Sequence, residues 1–139
     1  MFFKKEKYKI KSNSIGFYQD LEHIDGMGVS AVPAQLYANK KRDELVLFYF
    51  RKGANYASVY TQSNIKSENI KWNLINSKDK IYALLVNTRN ANAFTGKEGY
   101  RSLNNLAFLL SDLLSKKQIS DEEDPKKIKI KNLLFASTG

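Results

Sequence analysis

A chain of 139 residues, 42% hydrophobic with a mean hydropathy of -0.48, is long enough for one core-bearing domain and too apolar to be a disordered chain. It has no cysteine and one histidine, His23, which excludes disulfides and thiolate metal sites and argues against a histidine-based zinc centre. The formal charge of +9 invites a nucleic-acid partner, yet lysine supplies most of it. Arg42, Arg51, Arg89 and Arg101 offer few of the planar forks on which specific recognition leans, so nucleic acid is not the expected partner.

The start, Met1-Phe2-Phe3-Lys4-Lys5, lacks the apolar core and small-residue cleavage site of a secretory signal. No apolar run approaches the roughly eighteen residues that span a bilayer, so a cytoplasmic location is the default expectation and no membrane is expected. Residues 1–14 read as a basic arm, and residues 15–139 as one α/β domain. Ile15 to Tyr18 suits a short strand, and Asp25-Gly26-Met27-Gly28 a turn. Val29 to Tyr37 reads as a strand interrupted at Pro33, hence an edge or a bulge. Asn39 to Asp43 is a polar turn.

The continuous apolar run Leu45 to Phe50 predicts a strand buried on both faces. A turn at Gly53-Ala54-Asn55 would bring Tyr56 to Tyr60 back as its antiparallel partner. From Thr61 to Lys80 no clean period emerges, and the pattern does not place Trp72. Ile81 to Val86 is a strand that stops abruptly at Asn87 and feeds an Asn/Ala loop, Asn87 to Phe94.

A helix follows, with Thr95 at its N-cap and Glu98 three residues on as a capping box. Tyr100, Leu103, Leu106, Ala107, Leu110, Leu113 and Leu114 recur at the spacing of one buried face. Lys116 and Lys117 are expected in its last turn. Ser120 to Pro125 reads as an acidic linker. Lys126 to Lys131 alternates lysine and isoleucine, as in a solvated strand or a short helix. Leu133 to Ala136 is a buried strand that runs into Ser137-Thr138-Gly139. Those turn residues ought to lead onward, so the domain looks cut short.

Few of these residues point to chemistry. Asn87, Asn90 and Asn92 lie where open α/β sheets bind ligands, beyond a strand's carboxyl end; alternatively they satisfy the loop's own backbone through Asx-turns. Thr95-Gly96-Lys97-Glu98-Gly99 lacks the spacer and the Gly-Lys-Ser/Thr ending of a P-loop. Ser137-Thr138-Gly139 reads either as an ordinary turn or as a hydroxyl and a backbone N–H aimed at an oxyanion. His23 has no nucleophile pattern near it and reads as a surface or structural residue. Asp121 to Asp124 lacks the glycine and terminal glutamate of a calcium loop.

Three segments in fixed order resemble one family. Val86 to Gly96 is similar to the Asn-Ser-Gly-Asn-Ala-Asn-Ala-x-Thr-Gly signature of the ornithine acetyltransferases, the bifunctional glutamate and amino-acid N-acetyltransferases of arginine biosynthesis. Ala57 to Asn64 resembles that family's Ala-Gly-Val-Phe-Thr-x-Asn segment. Ala136-Ser137-Thr138-Gly139 resembles an Ala-Ser-Thr-Gly that the family continues with Val-Ile-Gly. Departures are Thr88-Arg89 in place of Ser-Gly, Ser58 in place of glycine, Glu68-Asn69 in place of Ala-Pro, and the acidic stretch from Asp121 to Pro125, which looks like an insertion.

The resemblance implies a layered helix–sheet architecture of the ornithine acetyltransferase type, incomplete in this chain. It implies a precursor that cuts itself before a threonine. That threonine, beyond Gly139, would take acetyl from N-acetylornithine and pass it to glutamate, with acetyl-CoA a possible further donor, in a ping-pong reaction needing no cofactor. It further implies that Thr138 and Gly139 form the oxyanion hole, and that a β chain from the cleavage completes an α/β hetero-oligomer. A peptide-cleaving relative of the same fold and a small basic nucleic-acid-binding module are the competing readings.

Overall fold

The computed structural model describes residues 24–34, 44–88 and 91–138. The expected basic arm, the strand at Ile15 to Tyr18, His23, the turn at Asn39 to Asp43, Arg89, Asn90 and Gly139 lie outside the described residues. Among these residues four strands form one sheet in the order β1-β2-β3-β4: β1 (Met27–Val32), β2 (Leu45–Ala54), β3 (Ile81–Asn87) and β4 (Leu133–Ser137). The first three pair antiparallel, and β3 pairs with β4 in parallel. Parallel neighbours need a crossover, and the chain supplies it as helix α2 (Gly96–Asp121) followed by a single 3-10 turn, Ile130–Asn132. A shorter helix, α1 (Glu68–Asn76), precedes β3.

Both helices pack on one face of the sheet. Leu103, Ala107, Leu110 and Leu114 of α2 and Trp72 of α1 meet Tyr49, Ala83, Leu133 and Phe135 in the main core cluster. Trp72 is fully buried and stands edge-on to Phe135, ring centroids 4.9 Å apart at 90°. That arrangement sets the positive rim of one ring against the negative face of the other. Alternate residues point the other way, and Val46, Phe48, Leu84, Val86 and Leu134 are only half-buried. The expectation that Leu45 to Phe50 is buried on both faces is therefore corrected: of this run only Tyr49 is buried.

α1 closes the free edge of β4 with side chains. Asn73 exchanges two hydrogen bonds with the Phe135 backbone, donating to its carbonyl at 2.9 Å and accepting from its N–H at 3.1 Å. Ser77 donates to the Leu133 carbonyl at 2.6 Å, and Asn69 donates to the Ser137 hydroxyl at 2.7 Å. The spacings match: four residues of helix rise about 6.0 Å, and two residues of strand about 6.6 Å. Asn69, Asn73 and Ser77 thus fall opposite Ser137, Phe135 and Leu133 in turn, and an edge open to stray pairing is covered.

Other expectations change for identifiable reasons. Tyr56 to Tyr60 is not a strand, because both edges of β2 are already taken by β1 and β3; Val59 is 97% exposed. Gly53 lies within β2, not in a turn after it. Its φ of +69° sits at a register shift, where a Cβ would come 2.9 Å from the Tyr82 ring. β1 ends at Val32, before Pro33, and among the described residues it pairs on one side only, as an edge strand does.

α2 runs past Lys117 to Asp121, so Ser120 and Asp121 belong to the helix and not to a linker. Leu106 and Leu113, expected in its buried face, are 38% and 52% exposed. Lys126 to Lys129 takes no regular form, and Ile128 alone in that segment is buried. Asp121 and Asp124 are engaged by Lys117 and Lys126. The Lys117 and Ser120 hydrogen bonds hold the Asp121 carboxyl below its usual range. No helix among the described residues is long and apolar enough to cross a membrane.

Candidate active site

Parallel strands end at the same side of a sheet, so Asn87 of β3 and Ser137 of β4 lie side by side as register partners. The chain leaves both strands there. The Thr138 N–H donates to the Asn87 carbonyl at 2.9 Å, extending the ladder by one bond. Around this end a cleft of about 270 Å³ opens, with Leu45, Leu85, Leu103 and Phe135 among its apolar walls. Asn69, Asn87, Asn92, Thr95 and Ser137 give it polar lining. An apolar pocket with a few convergent polar groups is the usual form of a small-molecule site.

Asn92 is the centre of the polar lining, and each of its four backbone and amide groups has a partner. Its N–H donates to the Ser137 hydroxyl at 3.1 Å, and its carbonyl accepts from the Glu68 N–H at 2.9 Å. Its side-chain Nδ2 donates to Asn69 Oδ1 at 3.2 Å, and its Oδ1 accepts from the Thr95 hydroxyl. One residue therefore ties together the start of α1, the end of β4 and the start of α2.

This differs from the Asx-turn reading of Asn92 and from the capping box expected at the helix start. Asn92 does not serve its own loop by an Asx-turn; its partners lie on three other elements. Thr95 does not form the expected capping box. It sits at the N-cap in a helical conformation with no side-chain bond to the helix backbone, because its hydroxyl is turned to Asn92. Gly99 makes the arrangement possible. A Cβ there would lie 2.7 Å from Asn92 Oδ1 and 2.6 Å from the Thr95 Cβ, closer than real Cβ atoms come. Phe94, next to Thr95, is 85% exposed with φ at +59°, a region costly for a bulky residue.

Of the residues singled out from sequence, Asn87, Asn92 and Thr138 come together at this end of the sheet. Sequence reading missed Asn69 and Gly99. Asn69 carried a readable signal, since Asn69, Asn73 and Ser77 repeat every four residues as a polar helical stripe. Among the described residues no group of three or more histidine or acidic side chains could hold a metal ion.

Comparison with known proteins identifies the family. A model of the ArgJ family matches residues 29–139. The arginine biosynthesis bifunctional protein ArgJ of Zymomonas mobilis is 35% identical over 96 residues, covering 68% of this chain and 23% of that protein. ArgJ 1 of Clostridium acetobutylicum is 30% identical over 121 residues, 86% of this chain and 26% of that protein. The chain thus spans about a quarter of the length of these relatives.

Two crystal structures share the fold at 22% identity, each aligned over 83% of this chain. They are Bacillus halodurans ArgJ, with a TM-score of 0.62 over 54% of its chain, and Mycobacterium tuberculosis ornithine acetyltransferase complexed with ornithine, with a TM-score of 0.67 over 56%. The α/β architecture is accordingly that of the ornithine acetyltransferase type. On the match over residues 29–139, the chain belongs to the ArgJ family.

Proposed function

We propose that this chain is the front part of an enzyme of arginine biosynthesis that moves acetyl from N-acetylornithine to glutamate, and that Thr138 and Gly139 supply its oxyanion hole. Residues 15–139 would be the first part of its single catalytic domain, working in the cytoplasm. The observation that carries the assignment is the position of Thr138. Its N–H donates to the Asn87 carbonyl at 2.9 Å, one residue past the end of β4. That end of the sheet is also where the cleft opens.

The reaction runs in two halves. A threonine hydroxyl, on the part of the protein that follows this chain, attacks the acetyl carbonyl of N-acetylornithine. The carbonyl oxygen becomes an oxyanion, accepted by the Thr138 hydroxyl and the Gly139 N–H. Collapse breaks the C–N bond, ornithine leaves with a proton on its amine, and the acetyl group stays on the threonine as an ester. The glutamate amine then attacks that ester through a second oxyanion in the same hole and leaves as N-acetylglutamate. A donor aimed where charge develops is typically worth a hundred- to a thousand-fold in rate. The second polypeptide would be the β chain released by self-cleavage, paired with this one in a hetero-oligomer.

The test is to give the purified full-length gene product N-acetylornithine labelled in its acetyl group, together with glutamate. Labelled N-acetylglutamate and free ornithine should appear in equal amounts, with parallel double-reciprocal lines. A parallel arm with acetyl-CoA shows whether that donor is also used. Cleavage of peptides without acetyl transfer would replace this reading with that of a hydrolase, and neither activity would end it.

A further inference from the structure

We propose that Asn92, acting with Asn69 through Ser137, is a positioning residue that sets the aim of the oxyanion-hole donors. The inference rests on the assignment of Thr138 and Gly139 above and adds what holds the chain at Ser137 and Thr138. Ser137 is the last residue of β4 and one peptide bond from Thr138. Its hydroxyl oxygen is held from two sides, by Asn69 Nδ2 at 2.7 Å and by the Asn92 N–H at 3.1 Å. The next amide, that of Thr138, is held by Asn87 at 2.9 Å. The direction in which the chain leaves the sheet is therefore fixed by three hydrogen bonds on two consecutive residues.

Asn69 is 5% exposed and sits on α1, which is itself bonded along β4, so it is a rigid anchor. Asn92 locks that anchor to the loop: its Nδ2 meets Asn69 Oδ1, and the Thr95 hydroxyl and the Glu68 N–H hold its other groups. The chemistry calls for an amide at position 92. Its side chain must donate to Asn69 on one side and accept from Thr95 on the other, which neither a carboxylate nor an aliphatic group does. Gly99 keeps the space that this geometry occupies. An oxyanion donor works only within about 2.7–3.1 Å of the developing charge, and a displacement of 1 Å costs on the order of a hundredfold.

The experiment compares full-length Asn92→Ala, Asn92→Asp and Ser137→Ala with the native enzyme in acetyl transfer. Asn92→Ala and Ser137→Ala should lower kcat by about ten- to a hundredfold while KM for N-acetylornithine stays within about twofold, because aim is lost and not ground-state binding. Asn92→Asp sets a carboxylate against Asn69 Oδ1. Its kcat relative to native should fall at neutral pH and recover as the pH drops and the new carboxyl regains a proton to donate. A purely structural role would lower the folded fraction without that recovery or the kcat–KM split.

Native kcat in all three folded variants would overturn the proposal, as would a loss that tracks only the folded fraction. If Thr138→Ala loses activity while the Asn92 variants do not, the oxyanion assignment stands and the positioning role fails. If Thr138→Ala is itself fully active, both fail.

Discussion

At its first turn α2 meets Asn92 and Thr95, and near its last turn it presents Gln118. Both regions use a side-chain amide to tie the helix to its surroundings. Gln118 is 1% exposed: its Nε2 donates to the Tyr49 hydroxyl at 2.5 Å and the Arg51 carbonyl at 2.7 Å, and its Oε1 accepts from the Lys126 N–H at 3.2 Å. Asn92 is only half-buried, Thr95 is exposed, and their network opens onto the cleft. The same kind of group thus holds the fold together at one end of the helix. At the other it holds chain geometry at a surface where a ligand could arrive. Burial separates the two, since an unmade hydrogen bond costs most where water cannot replace the partner.

The contrast can be broken most forcefully at the buried end. Gln118→Leu leaves the Lys126 N–H and the Arg51 carbonyl short of a partner, and should cost about 2–3 kcal/mol, read as a lower Tm in thermal unfolding. The kcat of the folded full-length enzyme should not change. A variant that kept its Tm but lost kcat would erase the distinction between the two ends.

A smaller effect sharpens it. Burial pushes the Tyr49 phenol above its ordinary range, and the Gln118 hydrogen bond opposes that rise. A raised phenol pKa means that the folded state favours the neutral form. Its contribution is complete below the unfolded value of about 10 and is lost as the pH climbs through the folded value. An alkaline absorbance titration should show a late-titrating component that disappears in Tyr49→Phe and titrates later still in Gln118→Leu.

Where apolar period and turn chemistry governed the outcome, the sequence was readable. β3, β4 and the long helix came from such patterns; Pro33 suggested an edge or a bulge, and β1, which ends just before it, is the terminal strand of the described sheet. α1 escaped because its buried residues are Glu68, Asn69, Trp72 and Asn73. A helix that docks by amides on a strand edge has no aliphatic stripe to detect. The end of α2 escaped for the same reason, since Gln118 continues the inner face where an apolar count stops.

Tyr56 to Tyr60 failed differently: alternation predicts a strand beside β2, but only the sheet's topology shows that both edges of β2 are taken. At the site, the Asn-rich loop was legible as a motif and its bonds were not. A Thr–Glu capping box looks the same in sequence whether the threonine turns to the helix or to an asparagine three residues back.

The most direct measurement of the central claim is single-turnover acetyl transfer by full-length Thr138→Ala and Thr138→Ser. If the Thr138 hydroxyl stabilises the oxyanion, the alanine variant should form the acyl-enzyme about a hundred- to a thousand-fold more slowly, with binding of N-acetylornithine little changed. The serine variant, which keeps a hydroxyl at that position, should recover most of the rate. An alanine variant that acylates at the native rate would contradict the account.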